Sequence, residues 1–322
     1  MLFKKRLVVI IVDKIFGIDI SSYQSDIDLK KAKDEGVNFV MIRAGYTGYS
    51  DGVSKKIDDC FFKHYKNCKD NNLMVGAYWF SRATTYEQGK NEAEFMYNNC
   101  LKGKMFEYPI AIDIEDNYYQ SKVGKERVTE AIKGFCEYLE NKKYYVCIYA
   151  NSNWFQNYID TDKLNKYDKW IANWGYNKPE SPVCGIWQFG GETNKIRSNK
   201  ICGMIVDQDY AYYDYPNIMK NKKLNGFNLK SIDEIVKEVI DGLWGNGHIR
   251  YQKLTDAGYN YQEVQDKVNE ILSNKTYTVK KGDTLSSIAK KYNISWKELY
   301  NKNKDIIGNN PNKIYVGQIL KI

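Results

Sequence analysis

Short apolar runs recur along the first 215 residues, each closing on polar or aromatic side chains. Phe16-Gly17-Ile18-Asp19-Ile20-Ser21 comes first, then Val37 to Arg43, then Met74 to Trp79. Pro109-Ile110-Ala111-Ile112-Asp113-Ile114-Glu115-Asp116 is the fourth. Tyr145 to Tyr149, Trp170 to Trp174, Gly185 to Phe189 and Met204 to Asp207 complete the set. Runs of this length, bounded by turn residues and rich in β-branched and aromatic side chains, predict strands. Between the earlier runs, Asp26 to Gly36, Tyr86 to Asn99 and Lys125 to Asn141 carry the helical period, whereas the connections after Trp174 and Phe189 are short and irregular. Eight strands alternating with helices imply a mixed α/β fold, a (β/α) barrel of the TIM type with reduced last helices.

The pattern changes beyond residue 215. Pro216 to Leu229 has no period and is rich in Lys and Asn, which predicts a linker over 216–230. Ser231-x-x-Glu234 is a capping box for a helix bearing Ile232, Ile235, Val236, Val239 and Ile240, and a second helix carries Val264, Val268, Ile271 and Leu272. This small all-α module spans 231–273. In 274–322, Tyr277 to Val279 alternates as a strand and the Gly282-Asp283-Thr284 turn opens a helix bearing Leu285, Ile288 and Ala289. Ser295-x-x-Glu298 caps another helix, and Ile314 to Leu320 closes as an edge strand, giving a βααβ order.

Charge sharpens these boundaries. The net +8 divides into +7 for residues 275–322, −4 for 231–272 and +5 for the first 230. A basic terminal segment suits nucleic acid or an acidic polymer, but single-strand binding needs an alternating aromatic platform that this segment lacks. The 28 Tyr against 12 Phe suit a surface for hydroxyl-rich ligands, but an AT-rich coding bias, which also covers the many Lys and Asn, accounts for the larger share. All seven cysteines (Cys60, Cys68, Cys100, Cys136, Cys147, Cys184, Cys202) fall within 1–215, without a C-x-x-C pair, and only His64 and His248 could join them. That argues against a metal site and for buried free thiols made in a reducing compartment. Lys4-Lys5-Arg6 before Leu7 to Val12 resembles a signal peptide, but the apolar stretch is too short and no small-x-small site follows, so no cleaved leader is expected. No stretch is long enough to span a membrane.

On a strand, Asp113 and Glu115 share a face with Cα atoms roughly 6–7 Å apart. Alone, the pair is equally a strand end meeting water. In a barrel, however, the C-terminal strand ends form one rim, and here they carry Asp19, Tyr46, Tyr78, Asp113, Glu115, Tyr149, Trp174, Gln188 and Asp207. Four acids and several aromatics, with no phosphate loop, metal ligands or Ser-His pair, point to glycoside hydrolysis. Aromatic rings stack on sugar faces, and a carboxyl kept protonated by a neighbouring carboxylate can donate to the glycosidic oxygen.

Residues 17–214 resemble the family 25 glycoside hydrolases, lysozymes that are N-acetylmuramidases and are widespread among phage endolysins. The resemblance rests on Gly17-Ile18-Asp19-Ile20-Ser21, Ile42 to Tyr46, Val75 to Ala83, Ile112 to Glu115, Trp170-Ile171-Ala172, Trp187-Gln188 and Val206-Asp207. It implies cleavage of the β-1,4 bond between N-acetylmuramic acid and N-acetylglucosamine, with net retention and no cofactor. By the same resemblance Glu115 is the general acid, Asp113 orients the substrate's 2-acetamido group, and Asp19 and Asp207 support them. Tyr46, Tyr78, Tyr149, Trp174 and Gln188 are expected at the sugar subsites. Three features depart from the family: some fifteen residues before the first strand, Asp209 where the family usually has Asn, and the loop Asn117 to Gln120.

The run Gly242-x-Trp244-Gly245-Asn246-Gly247, with Arg250 and Val264-Gln265-x-x-Val268-Asn269, resembles the CW-seven cell-wall-binding repeat, which implies Arg250 as a muropeptide contact. Residues 274–322 resemble the LysM domain, which implies glycan binding around Gly282, Asp283, Thr284 and Leu285. The expected partner is therefore bacterial peptidoglycan, with no nucleic acid and no membrane span, and the oligomeric state stays open. The expected location is the host bacterial cytoplasm until lysis and the cell wall afterwards. A catalytically dead wall-binding protein and a chitinase-like N-acetylglucosaminidase are the alternatives.

Overall fold

A computed structural model describes residues 11–227, 230–257, 259–273 and 276–322. The chain divides into two compact units, residues 1–229 and 230–322. In the first, the strands are β1 (Ile11–Ile20), β2 (Phe39–Thr47), β3 (Lys55–Ile57), β4 (Met74–Phe80), β5 (Ile110–Asp113) and β6 (Val146–Asn151). They continue with β7 (Asp168–Ala172), β8 (Ile186–Gly190), β9 (Lys200–Ile201), β10 (Met204–Ile205) and β11 (Asp207–Tyr213). Hydrogen bonding runs β1-β11-β8-β7-β6-β5-β4-β2 and returns from β2 to β1, closing an eight-stranded barrel with β3 hairpinned onto the end of β2.

Period-2 alternation decides what each strand shows to each side. Val40, Ile42, Ile110, Ile112, Ile148 and Ile171 belong to the outer core under the helices, while Phe39, Met41, Ala111, Cys147, Trp170 and Ile186 fill the barrel. The outer layer includes helices Phe61–Asp70, Tyr86–Met96 and Lys125–Asn141. The last two approach so closely that a Cβ on Gly89 would stand 1.9 Å from the Ala131 carbonyl oxygen. The connections from β7 to β8 and from β8 to β11 carry no helix, as the irregular sequence there predicts.

Three expectations are corrected. The eighth barrel strand is β11 rather than 204–207: Met204 and Ile205 pair only with β9, and β11 runs antiparallel to both β8 and β1. The Asp207, Asp209, Ala211 row faces the barrel, so its marker is a half-polar alternation instead of an apolar run. Second, β1 starts at Ile11 and pairs Ile11 with Tyr213 across an irregularity, so the residues just before Phe16 are strand, while 1–10 lie outside the described residues.

Third, the expected linker is the floor of the barrel. Asp214 caps helix Tyr215–Lys222 through the Asn217 N–H, with Pro216 in its first turn. The helix buries Tyr215, Ile218 and Met219 against Phe39, Tyr108 and Ile186. Asn225, also fully buried, accepts from Tyr145 N at 2.7 Å and donates to the Tyr108 carbonyl at 2.9 Å. A helix this short has no visible period, because only one face of two turns is buried.

In the second unit, the capping box at Ser231 starts helix Ile232–Ile240. Helices Gly247–Asp256 and Tyr261–Ser273 follow, one more than the sequence predicts; Ile235, Val236, Val239, Leu254, Val264 and Val268 form their core. Beyond them β12 (Thr276–Thr278) pairs antiparallel with β13 (Ile319–Lys321) around helices Leu285–Lys291 and Trp296–Lys302. The closing strand is shorter than expected, since Ile314 to Gln318 is irregular. Among the described residues no helix is long and apolar enough to cross a membrane, and all seven cysteines are free, five of them buried.

Candidate active site

The inward-facing row of each strand emerges at one mouth of the barrel. Asp19 lies two residues beyond Gly17, Tyr78 two beyond Gly76, Asp113 two beyond Ala111 and Tyr149 two beyond Cys147. Because β11 runs the other way, its first residue reaches the same mouth, and Asp207 is the direct register partner of Asp19. β5 stops at Asp113, and Glu115 stands just past the strand end, half-buried. A Cβ on residue 191 would lie 1.9 Å from Asp207 Oδ1 and 2.7 Å from the Trp174 ring, so only glycine leaves room for both.

Two openings flank Glu115. One, of about 540 Å³, is lined by Asp19, Arg43, Tyr46, Tyr78, Asp113 and Asp207, among others. The other, of about 380 Å³, is lined by Asn151, Asn153, Asn173, Trp174 and Gln188. Glu115 and Tyr149 border both.

Burial dominates the electrostatics. It pushes Glu115 up to about 7, with Asp207 adding to the effect. Asp207 rises to about 6 by burial and then through Glu192. Asp113 is held well above the ordinary carboxylate range by burial and then by Glu115, against the pull of Arg43 and Arg82. Asp19 is raised by burial, then by Asp207 and Asp209, while a hydrogen bond from Gln188 opposes this. The arrangement keeps a substantial protonated fraction on Glu115 near neutral pH, beside carboxyls whose ionised forms burial and mutual repulsion disfavour.

Gln188 lines the smaller opening and is also held within the protein. Its Nε2 donates to Asp19 Oδ2 at 2.9 Å, and its Oε1 accepts from Tyr149 at 3.2 Å and Trp174 at 3.1 Å. Buried and engaged at both ends, it positions Asp19 and both aromatics. Asp207 lines the larger opening, whereas Asp209 lies below, fully buried, accepting from Trp170 Nε1 at 2.7 Å.

Several residues of the site, and Glu92 behind it, carry no role that the sequence pattern assigns. Arg43 Nε donates to Asp58 at 2.8 Å and its guanidinium lies under the rings of Tyr23 and Tyr46. Arg82 pairs with Asp116 at 2.9 Å and donates to the Thr47 carbonyl. A charge inside an apolar strand run was the available signal for Arg43. Glu92 had none, since acids are ordinary on helices. It is buried, accepts from Thr47 and Ser81 hydroxyls at 2.6 Å each, and is pushed up to about 7 by burial. The loop 117–120, which matched nothing, builds a tyrosine wall: Tyr118 packs on Tyr49, and Tyr119 donates to the Tyr49 carbonyl. Among the described residues no group of three or more His, Cys, Asp or Glu is arranged to hold a metal ion.

In the second unit the Arg250 guanidinium donates to Gly245 O, Gln265 Oε1 and Asn246 Oδ1 at 2.9–3.0 Å, which ties the loop to the third helix. A separate opening is lined by Lys230, Glu238, Leu243, Trp244, Lys253 and Ala257. In the last module Gly282 has φ +90°, Asp283 accepts from Tyr277 and the Lys280 N–H, and Thr284 caps the following helix. Leu285 is buried in the module's core, while Gly282 and Thr284 of the turn are exposed.

The profile of the Glycosyl hydrolases family 25 matches residues 18–196, that of the CW_7 repeat residues 233–272, and that of the LysM domain residues 277–322. The chain is 32% identical over 169 residues to the autolytic lysozyme of Clostridium acetobutylicum, covering 51% of this chain and 46% of that protein. It is 28% identical over 197 residues to the lysozyme of Streptococcus phage Cp-7, covering 58% and 52%. The chain thus spans about half the length of these curated relatives. The solved family 25 glycosyl hydrolase of Bacillus anthracis superposes with a TM-score of 0.52 at 25% identity, covering 66% of this chain and 93% of that one.

Proposed function

This chain belongs to the glycosyl hydrolases of family 25, and on that premise we propose that it hydrolyses peptidoglycan at the β-1,4 bond between N-acetylmuramic acid and N-acetylglucosamine. The observation that carries the reading is the place of Glu115: a carboxyl pushed up to about 7, standing where two sugar-sized openings meet. A glycan laid across both would put its scissile oxygen beside a proton donor, which is the first requirement of glycoside cleavage.

Glu115 protonates the leaving oxygen. Asp113 lines only the larger opening, so the sugar whose acetamide it orients sits there, with the Arg82 and Tyr78 side chains around it. The acetamide oxygen attacks C1 from within that sugar, water then opens the intermediate with Glu115 as base, and configuration is retained. Asp19 and Asp207 stabilise the positive charge that develops at C1 and the acetamide. Trp174, part-exposed on the smaller opening, stacks on the sugar beyond the cleaved bond.

The catalytic unit runs to residue 227, the helical module over 231–273 and the LysM module over 274–322 hold the wall, and tethering makes repeated engagement intramolecular. The biological role is that of a phage or prophage endolysin, held in the host cytoplasm until lysis and acting on the wall thereafter. Mass analysis of fragments from purified walls tests the activity. Muramic acid at every new reducing end is the expected result. N-acetylglucosamine at those ends would establish the chitinase-like alternative, and no released ends at all the catalytically dead one.

A further inference from the structure

Behind the larger opening lies a buried carboxyl that the proposed chemistry does not use. Glu92 stands on the buried face of helix Tyr86–Met96 with Gly89, Ala93 and Met96, and it lines neither opening. Its Oε1 accepts from the Thr47 hydroxyl at 2.6 Å and the Arg82 N–H at 3.1 Å, and its Oε2 accepts from the Ser81 hydroxyl at 2.6 Å. Each hydroxyl oxygen already accepts an N–H, from Trp79 Nε1 at Thr47 and from the Ala83 backbone at Ser81. The single proton of each is therefore the one turned towards Glu92. Every hydrogen bond that Glu92 makes among the described residues is one it accepts, so the carboxylate is the form this pocket is shaped to hold. Burial pushes the group up to about 7, and the hydrogen bonds from Ser81, Thr47 and Arg82 pull the other way.

The same three donors lead to one cation. Arg82 follows β4 and lines the larger opening together with Asp113. Its Nη1 donates to the Thr47 carbonyl and its Nε to Asp116 Oδ1 at 2.9 Å. The Asp116 N–H donates to Gln120 Oε1 at 3.2 Å, and Gln120 Nε2 reaches Ser81 Oγ at 3.4 Å. The Ser81 N–H in turn donates to the Asp113 carbonyl at 3.0 Å. We propose that Glu92 is a positioning residue: its carboxylate ties the ends of β2 and β4 together and so holds the Arg82 guanidinium at the wall of the opening that Asp113 shares. A buried carboxylate is costly unless the groups around it need an acceptor. Here they do, because Glu92 fixes both the backbone of Arg82 and the residue whose carbonyl holds its guanidinium. That guanidinium matters at the site: burial and then Glu115 raise Asp113, and Arg43 and Arg82 oppose them.

The kinetic arm of the test rests on the muramidase reading. In Glu92→Gln an amide N–H₂ faces one of the donors, so the brace loses an acceptor at unchanged volume. The rate of reducing-end release from purified walls, per folded molecule, should fall by about ten- to a hundredfold, the range for a lost hydrogen bond to a charged group. Arg82→Gln should fall at least as far. The double variant should fall no further than Arg82→Gln alone, since Glu92 acts through Arg82. A role confined to stability gives instead a lower Tm with an unchanged rate, or losses that multiply in the double variant, and either result would overturn the proposal. Where Glu92→Gln fails to fold, Thr47→Val removes one donor at similar shape and Thr47→Ser keeps it. Thr47→Ser should be the faster of the two, and equal rates would count against the brace.

The Arg82 Nε–H NMR resonance of the full chain, assigned by its loss in Arg82→Gln, reports the brace without any activity. It should be sharp in the wild type and broadened by exchange with water in Glu92→Gln. A resonance unchanged in Glu92→Gln would show that Arg82 is held without Glu92, and the proposal would fail. Should Glu115→Gln prove fully active, the muramidase reading falls while this resonance still decides the role of Glu92.

Discussion

The two ends of the barrel are built from the same inward-facing rows and treat them in opposite ways. At the base, Phe39 stacks on Tyr108 with ring centroids 4.1 Å apart, and Tyr215, Ile218 and Met219 of the short helix fill the remaining space. Most polar groups there are matched, as Asn225 ties two loops and the Tyr215 hydroxyl donates to Asp168, and the buried Tyr108 hydroxyl is the exception, with no partner among the described residues. At the mouth, two residues further along the same strands, four carboxyls converge above a fifth, Asp209, with the ionised forms of all five disfavoured by burial. Asp113 Oδ1 has no hydrogen-bond partner among the described residues. One end is optimised for packing, and the other keeps groups in states that water would not allow. A strained functional end is tolerable only where the rest of the molecule over-determines the fold.

The largest break in this comparison comes from the mouth. Glu115→Gln should lower release of reducing ends from walls by about 10²–10⁴-fold, the usual worth of a general acid, with an unchanged circular-dichroism spectrum. At the base the effect should move to stability. Tyr215→Ala should destabilise the first unit by about 3–5 kcal/mol, read as a lower denaturant midpoint, while the rate per folded molecule stays near wild type. Ending the chain at residue 215 should prevent folding, and ending it at 227 should not, because the floor helix and Asn225 belong to the barrel.

Asp113→Asn sharpens the contrast, since the mouth and the fold then pull apart. Activity should fall nearly as far as in Glu115→Gln, yet stability at neutral pH should rise by about 0.5–2 kcal/mol, because a buried carboxyl whose ionisation is disfavoured is replaced by an amide that does not titrate. The smallest effect is in pH dependence. Glu115 and Asp207 have folded values raised above their unfolded ones, so the folded state holds protons that the unfolded state has released. Their contribution is greatest below the unfolded carboxylate range and is lost as pH rises towards about 7. Wild-type Tm should therefore decline from about pH 4.5 to pH 7, and the decline should flatten in Glu115→Gln.

Much of this was legible in the residues. Seven of the eight apolar runs are barrel strands, the expected long helices at 86–99 and 125–141 are present, and the rim acids converge on one opening. The capping boxes at Ser231 and the cap at Ser295 are where the spacing puts them. Arg250 and Gln188 show the limit. Residue type and position identify them as polar groups near a site, but only their partners reveal that both are engaged within the protein.

Sequence alone determined that strands alternate with helices, that the acids gather at strand ends, and that two small modules follow, because each of these is written in periods of two or 3.6 and in local turn chemistry. Tertiary structure decided the direction of β11, the pairing of Asp19 with Asp207, the helix that closes the base, and the burial of Asp209 beneath the mouth. The physical reason is range. A local pattern records that a side chain will be buried, whereas what it is buried against depends on hydrogen-bond register between residues almost two hundred positions apart, and that exists only once the barrel has closed.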